Sequence, residues 1–156
     1  MKDTGIEILL IEDNAADVEL TQRAFEVDHL ANRIEIVRDG AEALDFLFCR
    51  GAYGNRSFDR PPRLVLMDLK LPKVDGLEVL RQVKDDPRTK AIPIIVMTSS
   101  TEENDLVRSY HYGANSYIQK PVDFGDFQKI VKTLGLYWLL VNAPPPGRAF
   151  AAQTTA

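Results

Sequence analysis

The sequence predicts an α/β fold: one domain with a five-stranded parallel sheet, strand order 2-1-3-4-5, and helices on both faces. Apolar runs of strand length alternate with helical patterns along the whole chain, which is typical of stacked βαβ units. Five such units commonly wind in this order. The length of 156 residues, with 45% hydrophobic and 27% charged residues, suits one compact core and leaves little room for a second domain.

The five strands are predicted from short apolar runs bounded by polar or turn-forming residues. Runs one, three and four are near-continuous Ile, Leu and Val, as expected for central strands with both faces covered. Runs two and five alternate more between apolar and polar residues, so they are expected at the edges of the sheet. The five runs are residues 6–11, 33–37, 63–67, 92–97 and 116–119.

The helices are predicted from apolar residues that recur every three or four positions. Helices 1 to 3 fill the first three gaps between strands. Helix 4 is expected at about residues 102–112, with Gly113 as its C-terminal cap, and helix 5 at about residues 123–140.

Two segments lack such a pattern. Residues 50–63 are rich in Gly, Pro and polar residues and predict a long loop. Residues 142–156 contain three consecutive prolines and many small residues, which predicts an extended or disordered tail. The chain is therefore divided into a domain over residues 1–141 and a tail over residues 142–156.

Composition argues against several classes of function. The net charge of −4 and the pI near 5.2 give no positive field for nucleic acid or anionic lipid. The single cysteine, Cys49, cannot form an internal disulfide, and the N-terminus lacks the features of a signal peptide. No apolar run approaches the roughly 18 residues of a membrane span. These observations predict a cytoplasmic protein with neither a nucleic-acid nor a membrane partner.

The apolar run in "LVLMDLKLPKVDG" ends in an aspartate, Asp68. A carboxylate at the rim of a core costs free energy unless it is paired. Glu12 and Asp13 follow strand 1, which is expected beside strand 3, at the point where the winding direction reverses. The order therefore predicts that these three carboxylates converge in one crevice.

A cation is expected among these carboxylates, because they would otherwise raise one another's pKa values. Mg²⁺ fits best, since it takes one or two carboxylates, keeps waters and accepts phosphate oxygens. Asp13 and Asp68 would bind it directly, and Glu12 through water. Thr98 and Lys120 end strands 4 and 5 at the same edge. An aspartate oxygen can attack phosphorus and form an acyl phosphate, so the set predicts phosphoryl transfer.

Each of these residues also has a simpler explanation. Aspartates at strand ends often only cap turns, and a lone lysine is usually solvated. Capping does not require Glu12, however, because Asn14 with Asp17 supplies an N-cap for helix 1. Ser100 with Glu103 predicts a capping box for helix 4. The coincidence of the acidic and basic residues at strand ends favours a functional site.

Taken together, "LLIEDN", "LVLMDLKLPKVDG", "VMTSS" and "YIQKP" resemble, in this order and spacing, the receiver domain of two-component response regulators over residues 7–140. The resemblance implies a flavodoxin-like receiver fold and a phosphoacceptor switch driven by a histidine kinase. It implies no enzyme activity beyond self-phosphorylation from small donors and slow self-dephosphorylation. The site residues that it implies are Asp68 as phosphoacceptor, Glu12 and Asp13 as the acidic Mg²⁺ pair, the Lys70 main-chain carbonyl as a further metal ligand, and Lys120 as the partner of the phosphoryl group.

The same resemblance implies how the signal leaves the site. Thr98 and Tyr117 match the switch pair: the phosphoryl group draws the threonine hydroxyl inward, and the vacated space admits the tyrosine ring. The readout would be the face of helix 4, strand 5 and helix 5. A cis peptide bond is expected before Pro121.

The end of helix 5 predicts a protein partner. Phe127, Val131, Leu134, Trp138 and Val141 form one core-facing stripe, yet Leu136, Tyr137, Leu139 and Leu140 make the last turns apolar all round. A second apolar surface is most simply covered by another copy of the chain, although the tail could fold back over it. The predicted dimer and output face comprises Tyr110, Tyr117, Leu136, Tyr137, Trp138 and Leu140.

The long loop, the "GLYWLL" ending and the Pro-rich finish resemble the single-domain regulators paired with bacterial and cyanobacterial phytochrome kinases, which are similar dimers. Two other classes of function agree less well with the sequence. A constitutive dimeric adaptor is disfavoured because the acidic, threonine and lysine positions are all intact. A metal-dependent phosphatase is disfavoured because "IEDNAAD" has no Gly-rich phosphate loop and "DLKLP" lacks a second aspartate two residues after the first.

Overall fold

The structure is a computed structural model that describes residues 8–27, 33–120 and 123–145. Its strands are β1 (Ile8–Ile11), β2 (Ile34–Val37), β3 (Leu64–Met67), β4 (Ile94–Thr98) and β5 (Ser116–Gln119). Its α-helices are α1 (Ala15–Val27), α2 (Gly40–Leu47), α3 (Gly76–Asp85), α4 (Glu103–His111) and α5 (Phe124–Gly135). A 3₁₀ turn (Gly51–Tyr53) and a π-helical segment (Leu136–Val141) complete the described elements.

All five strands are parallel and lie in the order β2-β1-β3-β4-β5. The predicted order is therefore confirmed. Every residue of β1, β3 and β4 is buried, whereas β2 and β5 are mostly half-buried, as expected for edge strands. β5 starts where it was predicted, whereas β2, β3 and β4 start one or two residues later, and the predicted start of β1 lies outside the described residues. β4 starts after Pro93, whose ring nitrogen has no hydrogen to donate.

The two faces of the sheet carry separate cores, because successive residues of a strand point to opposite faces. In β1, Leu9 and Ile11 pack on the side of α2 and α3, whereas Ile8 and Leu10 pack on the side of α1 and α5. Phe46 of α2 and Phe25 of α1 are the largest buried side chains of the two layers. The central strands are thus held from both faces, and their carboxyl ends form a fixed edge.

The loop after α2 is tied to the domain although no long helix or strand forms there. The guanidinium of Arg56 lies 3.7 Å from the centroid of the Phe46 ring and donates a hydrogen bond to the Phe46 carbonyl. Arg88 lies over the rings of Phe48 and Phe58. Cation–π contacts of this kind stabilise a segment that lacks a core of its own.

The predicted capping box of helix 4 was wrong. Ser100 does not form a capping box with Glu103: its hydroxyl donates to Asp105 Oδ2 (2.6 Å) and accepts from the Glu102 N–H (3.2 Å). Helix α4 therefore begins after Glu102 without a side-chain cap. Helix 5 covers its predicted span, and its last turns are π-helical.

The amino ends of β4 and β5 are joined by one lysine. Lys84 Nζ donates to the Lys90 carbonyl (3.0 Å), the Ile92 carbonyl (2.6 Å) and Asn115 Oδ1 (3.0 Å). The same Asn115 oxygen accepts from the Ile94 N–H at 2.8 Å. Gly113, the predicted cap of α4, has φ of +100°, and a Cβ there would meet the Lys84 stem at 3.0 Å. Among the described residues, no helix has the length and apolar character that crossing a membrane requires.

We expect Lys84→Met to lower the free energy of unfolding by about 1–3 kcal/mol, because three oxygen acceptors lose a charged donor. Urea unfolding followed by circular dichroism measures this change. Lys90→Met is the matched control, since the Lys90 side chain is exposed. Equal unfolding midpoints for the two variants would contradict the structural role of Lys84.

Candidate functional site

The predicted convergence of carboxylates occurs at the carboxyl edge of the sheet. Ile11 of β1 is paired with Met67 of β3, so the next residues, Glu12 and Asp68, lie side by side. The Asp68 N–H donates to the Ile11 carbonyl at 3.1 Å, which fixes this register one residue beyond the strands. Asp13 follows Glu12 and is exposed.

Lys120 lies at the centre of the site, directly after β5. Its backbone N–H donates to the Thr98 carbonyl at 2.7 Å, which fixes where its side chain starts. The ammonium donates hydrogen bonds to three carboxylates: Glu12 Oε1 (2.6 Å), Asp17 Oδ2 (2.8 Å) and Asp68 Oδ2 (3.0 Å). An ammonium has three protons, so all of its donors are in use. This pairing explains how the apolar strand β3 can end in a carboxylate.

Burial and charge act in opposite directions in this cluster. Burial raises the pKa of Glu12 to about 7, even though the Lys120 ammonium lowers it. For Lys120, burial alone would lower the pKa, but the hydrogen bonds to Asp17 and Glu12 outweigh it and raise the pKa above its ordinary value. The lysine is therefore charged at neutral pH, and Glu12 takes up a proton more readily than an exposed glutamate does.

Asp68 has the exposure and the partners of a reactive carboxylate. Its Oδ1 accepts the Leu69 N–H at 2.7 Å, and its Oδ2 accepts from Lys120. Its side chain is 12% exposed, so it is ordered yet reachable from solvent. An aspartate held in this way can present a carboxylate oxygen to phosphorus as a nucleophile.

A divalent cation fits the donors at this edge. Among the described residues, no three His, Cys, Asp or Glu side chains are arranged to hold a metal ion, and the Lys120 ammonium already lies between Glu12 and Asp68. Magnesium does not need three carboxylates, since one or two with waters are enough. Asp13 is exposed beside Glu12 and the Asp68 side chain is 12% exposed, so two carboxylates at this edge are accessible to an ion from solvent.

The two residues of the predicted switch pair lie on neighbouring strands. Thr98 is buried at the end of β4, and its Oγ1 accepts the Ser100 N–H at 3.3 Å. Tyr117 packs against the core on the α2 and α3 side, and its buried hydroxyl lies near Ser100 without a hydrogen bond of normal geometry. Among the described residues, the Thr98 hydroxyl makes no hydrogen bond to Asp68 or to Lys120.

The predicted dimer and output face is largely exposed. The exposed fractions are 52% for Tyr110, 39% for Leu136, 49% for Tyr137 and 72% for Leu140. The predicted core stripe was wrong at its end: Val141 is 69% exposed, and Leu139 is buried in its place. A π-helix turns less per residue than an α-helix, which rotates the last apolar positions relative to the core. Trp138 is half-buried against the α1 and α5 side.

Asp17 is the site residue that sequence reasoning missed. It was interpreted only as a partner of Asn14 in capping, and its N–H does donate to Asn14 Oδ1 at 3.0 Å. Its carboxylate also binds Lys120. The available signal was its place one helical turn after the acidic pair, where a side chain still lies over the strand ends. The peptide bond before Pro121 and the tail from residue 146 lie outside the described residues.

Comparison with known proteins agrees with this arrangement. The family described as the response regulator receiver domain matches residues 8–132. The probable methanogenesis regulatory protein FilR2 of Methanothrix harundinacea is 49% identical over 138 residues, which cover 88% of this chain and 86% of that protein.

Two solved structures share both the fold and the sequence pattern. The phosphorylated cyanobacterial phytochrome response regulator RcpA superimposes with a TM-score of 0.84 at 39% identity, covering 91% of this chain and 99% of that one. The Mn²⁺-bound form of the response regulator Rcp1, which is known from Synechocystis, gives 0.81 at 38% identity, covering 88% and 97%. The resemblance to phytochrome-associated regulators and the flavodoxin-like receiver fold are therefore confirmed, and the chain belongs to the receiver domain family of two-component response regulators.

Proposed function

We propose that the chain is a phosphoacceptor switch: a histidine kinase transfers a phosphoryl group to Asp68, with Mg²⁺ as cofactor. The observation that carries this proposal is the position of Asp68, reachable at the sheet edge and paired with the Lys120 ammonium at 3.0 Å. A receiver domain is a signalling domain and not a classical enzyme, so the product is the modified chain itself.

The chemical step needs no acid or base from the protein. An oxygen of the Asp68 carboxylate attacks the phosphorus atom, and the bond from phosphorus to the donor breaks. With acetyl phosphate as donor, acetate leaves with the electron pair, so a carboxylate is consumed and a carboxylate is released. With a phosphohistidine donor whose second ring nitrogen carries a proton, the leaving nitrogen keeps the electron pair and the ring departs as a neutral imidazole.

Charge neutralisation is what this chain's residues contribute to the step. Asp13, Asp68 and the Lys70 main-chain carbonyl would hold Mg²⁺, and Glu12 would act through water. When bound, the ion supplies positive charge for the transferring phosphoryl oxygens. Lys120 would exchange its bond to Asp68 for one to a phosphoryl oxygen. The Mn²⁺ ion in the structure of the related regulator Rcp1 supports a divalent cation at this edge.

The proposed signal passes from Asp68 to Thr98 and Tyr117. The phosphoryl group would draw the Thr98 hydroxyl from its bond with the Ser100 N–H, and the Tyr117 ring would follow into the vacated space. Among the described residues, the buried Tyr117 hydroxyl has no hydrogen-bond partner, and this costs free energy. The ring is therefore not held in its position by a hydrogen bond from its hydroxyl. This supports a ring that can change position and alter the face of α4, β5 and α5.

The proposed kinase is a phytochrome, and the chain would act in the cytoplasm. The name of one relative supports the phytochrome class, since RcpA is a phytochrome response regulator and is 39% identical to this chain. The acidic composition and the single cysteine support the location.

We expect the unmodified chain to gain one phosphoryl group when it is incubated with acetyl phosphate and Mg²⁺, and to gain none without Mg²⁺. Asp68→Asn should gain none, because an amide does not displace the leaving group. Intact-protein mass spectrometry measures both. Asp85→Asn, an exposed position at the end of α3, is the matched control and should be labelled like the unmodified chain.

Two outcomes would count against the switch. Labelling of Asp68→Asn would move the phosphoryl group to another residue. No labelling of the unmodified chain by acetyl phosphate or by a histidine kinase, while another receiver is labelled, would favour the constitutive adaptor instead.

We also propose a homodimer formed by the exposed apolar side chains of the π-helical segment. Leu136, Tyr137 and Leu140 present their side chains to solvent in one short stretch, and such patches usually mark protein interfaces. Two-fold symmetry would place this stretch against the same stretch of the second copy, so each exposed leucine would contribute buried apolar area from both subunits.

We expect Leu140→Glu to shift the chain from dimer to monomer in sedimentation velocity, because two carboxylates would be buried across the two-fold axis. Val27→Glu is the matched control, since Val27 is 52% exposed at the far end of α1. This interface would be refuted if the unmodified chain sediments as a monomer at tens of micromolar. A dimer that Leu140→Glu leaves unchanged would refute it as well.

A further inference from the structure

We propose that Asp17 restrains Lys120: its carboxylate takes a share of the ammonium's charge in the resting state and thereby slows phosphorylation of Asp68. Asp17 is then a positioning residue that acts through the lysine, not a residue that touches the phosphoryl group. The inference rests on the proposed phosphoacceptor function, and it concerns the rate of that reaction.

The geometry gives Asp17 a strong hold on the lysine. The distance from Lys120 Nζ to Asp17 Oδ2 is 2.8 Å, shorter than the 3.0 Å to Asp68 Oδ2. The backbone of Asp17 is itself fixed on both sides: its N–H donates to Asn14 Oδ1 (3.0 Å), and its carbonyl accepts from Thr21 Oγ1 (2.8 Å). The carboxylate is therefore presented from a fixed point on the first turn of α1.

Charge balance indicates the direction of the effect. Three carboxylates share one ammonium before the reaction, and the acyl phosphate of Asp68 carries one negative charge more than the aspartate that it replaces. The added negative charge is stabilised by the Lys120 ammonium, but Asp17 still accepts one of the three N–H groups of that ammonium. The Asp17 carboxylate also repels the anionic donor as it approaches. Both effects slow the transfer.

The size of the effect is limited by solvent. The Asp17 side chain is 30% exposed, so water screens part of its charge. We therefore expect removal of the charge to accelerate phosphorylation several-fold, within about one order of magnitude. A purely anchoring role predicts the opposite sign, because a lysine that lost its anchor would reach the phosphoryl group less often.

The experiment compares single-turnover phosphorylation by acetyl phosphate at saturating Mg²⁺ in the unmodified chain and four variants. Asp17→Asn and Asp17→Ser remove the charge, and Asp17→Glu keeps it. Glu19→Gln is the matched control: it removes one carboxylate from the same helix, where Glu19 is 71% exposed and pairs with Arg23. Asp68→Asn is the unreactive reference. Circular dichroism shows that each variant is folded.

We expect three- to tenfold faster labelling in Asp17→Asn and Asp17→Ser, and rates close to that of the unmodified chain in Asp17→Glu and Glu19→Gln. The acceleration should persist at saturating donor, since the shared charge acts on the transfer itself and not only on donor binding. Neutral variants that are slower than Glu19→Gln, or equal to it, would overturn the proposal.

A second readout needs neither donor nor metal. In a proton–nitrogen NMR spectrum of the metal-free chain, the Lys120 ammonium signal should move in Asp17→Asn and stay in place in Glu19→Gln. An unmoved signal would show that the pair is not formed and would also overturn the proposal. An unmodified chain that accepts no phosphoryl group at all would instead refute the proposed function, so the two failures are distinguishable.

Discussion

Three carboxylates and one ammonium meet at the carboxyl edge of the sheet, and the charge balance among them is the constraint on which the site depends. Glu12 is held there because it follows a fully buried strand, and its raised pKa reflects that burial. Lys120 reaches it across 108 positions of sequence at 2.6 Å. Without the lysine, the end of a buried strand would carry negative charge that nothing compensates.

The rest of the fold makes this pairing possible. Residues of β1 alternate between two separate cores, so the strand is packed on both faces and the position of its carboxyl end is fixed. The parallel register then sets Glu12 beside Asp68 to within one residue. Charge at the rim is costly for folding, and the two apolar layers provide the stability that offsets this cost. The site is thus a local departure from good packing that a well-packed sheet sustains.

The strand order, the edge strands and the meeting of Glu12, Asp68 and Lys120 could be predicted from the sequence, because each follows from periodicity and from the rule for parallel sheets. The second role of Asp17 could not, because a capping residue and an ion-pair partner have the same local pattern. Which of them a carboxylate becomes depends on a lysine more than a hundred positions away.

Other details were missed for similar reasons. Ser100 bonds to Asp105 instead of forming a capping box with Glu103, because the Asp105 side chain lies within hydrogen-bonding distance. Leu139 replaced Val141 in the core because the helix widened, and a helical pattern in the sequence assumes a constant turn. Local propensity predicted that elements exist, but competition between partners at their ends is decided by the folded structure.

The Lys84 network at the opposite edge gives the sheet a mechanical asymmetry. Its three bonds clamp the amino ends of β4 and β5 to neutral oxygens, whose interactions do not change when a phosphoryl group arrives. At the carboxyl end of β5, the Lys120 backbone bonds to the Thr98 carbonyl and its side chain bonds to charged carboxylates. One end of β5 therefore depends on interactions that a change of charge at Asp68 would alter, whereas the other end depends on bonds to uncharged oxygens. A change of charge at Asp68 is expected to displace β5 least near Asn115 and most near Lys120.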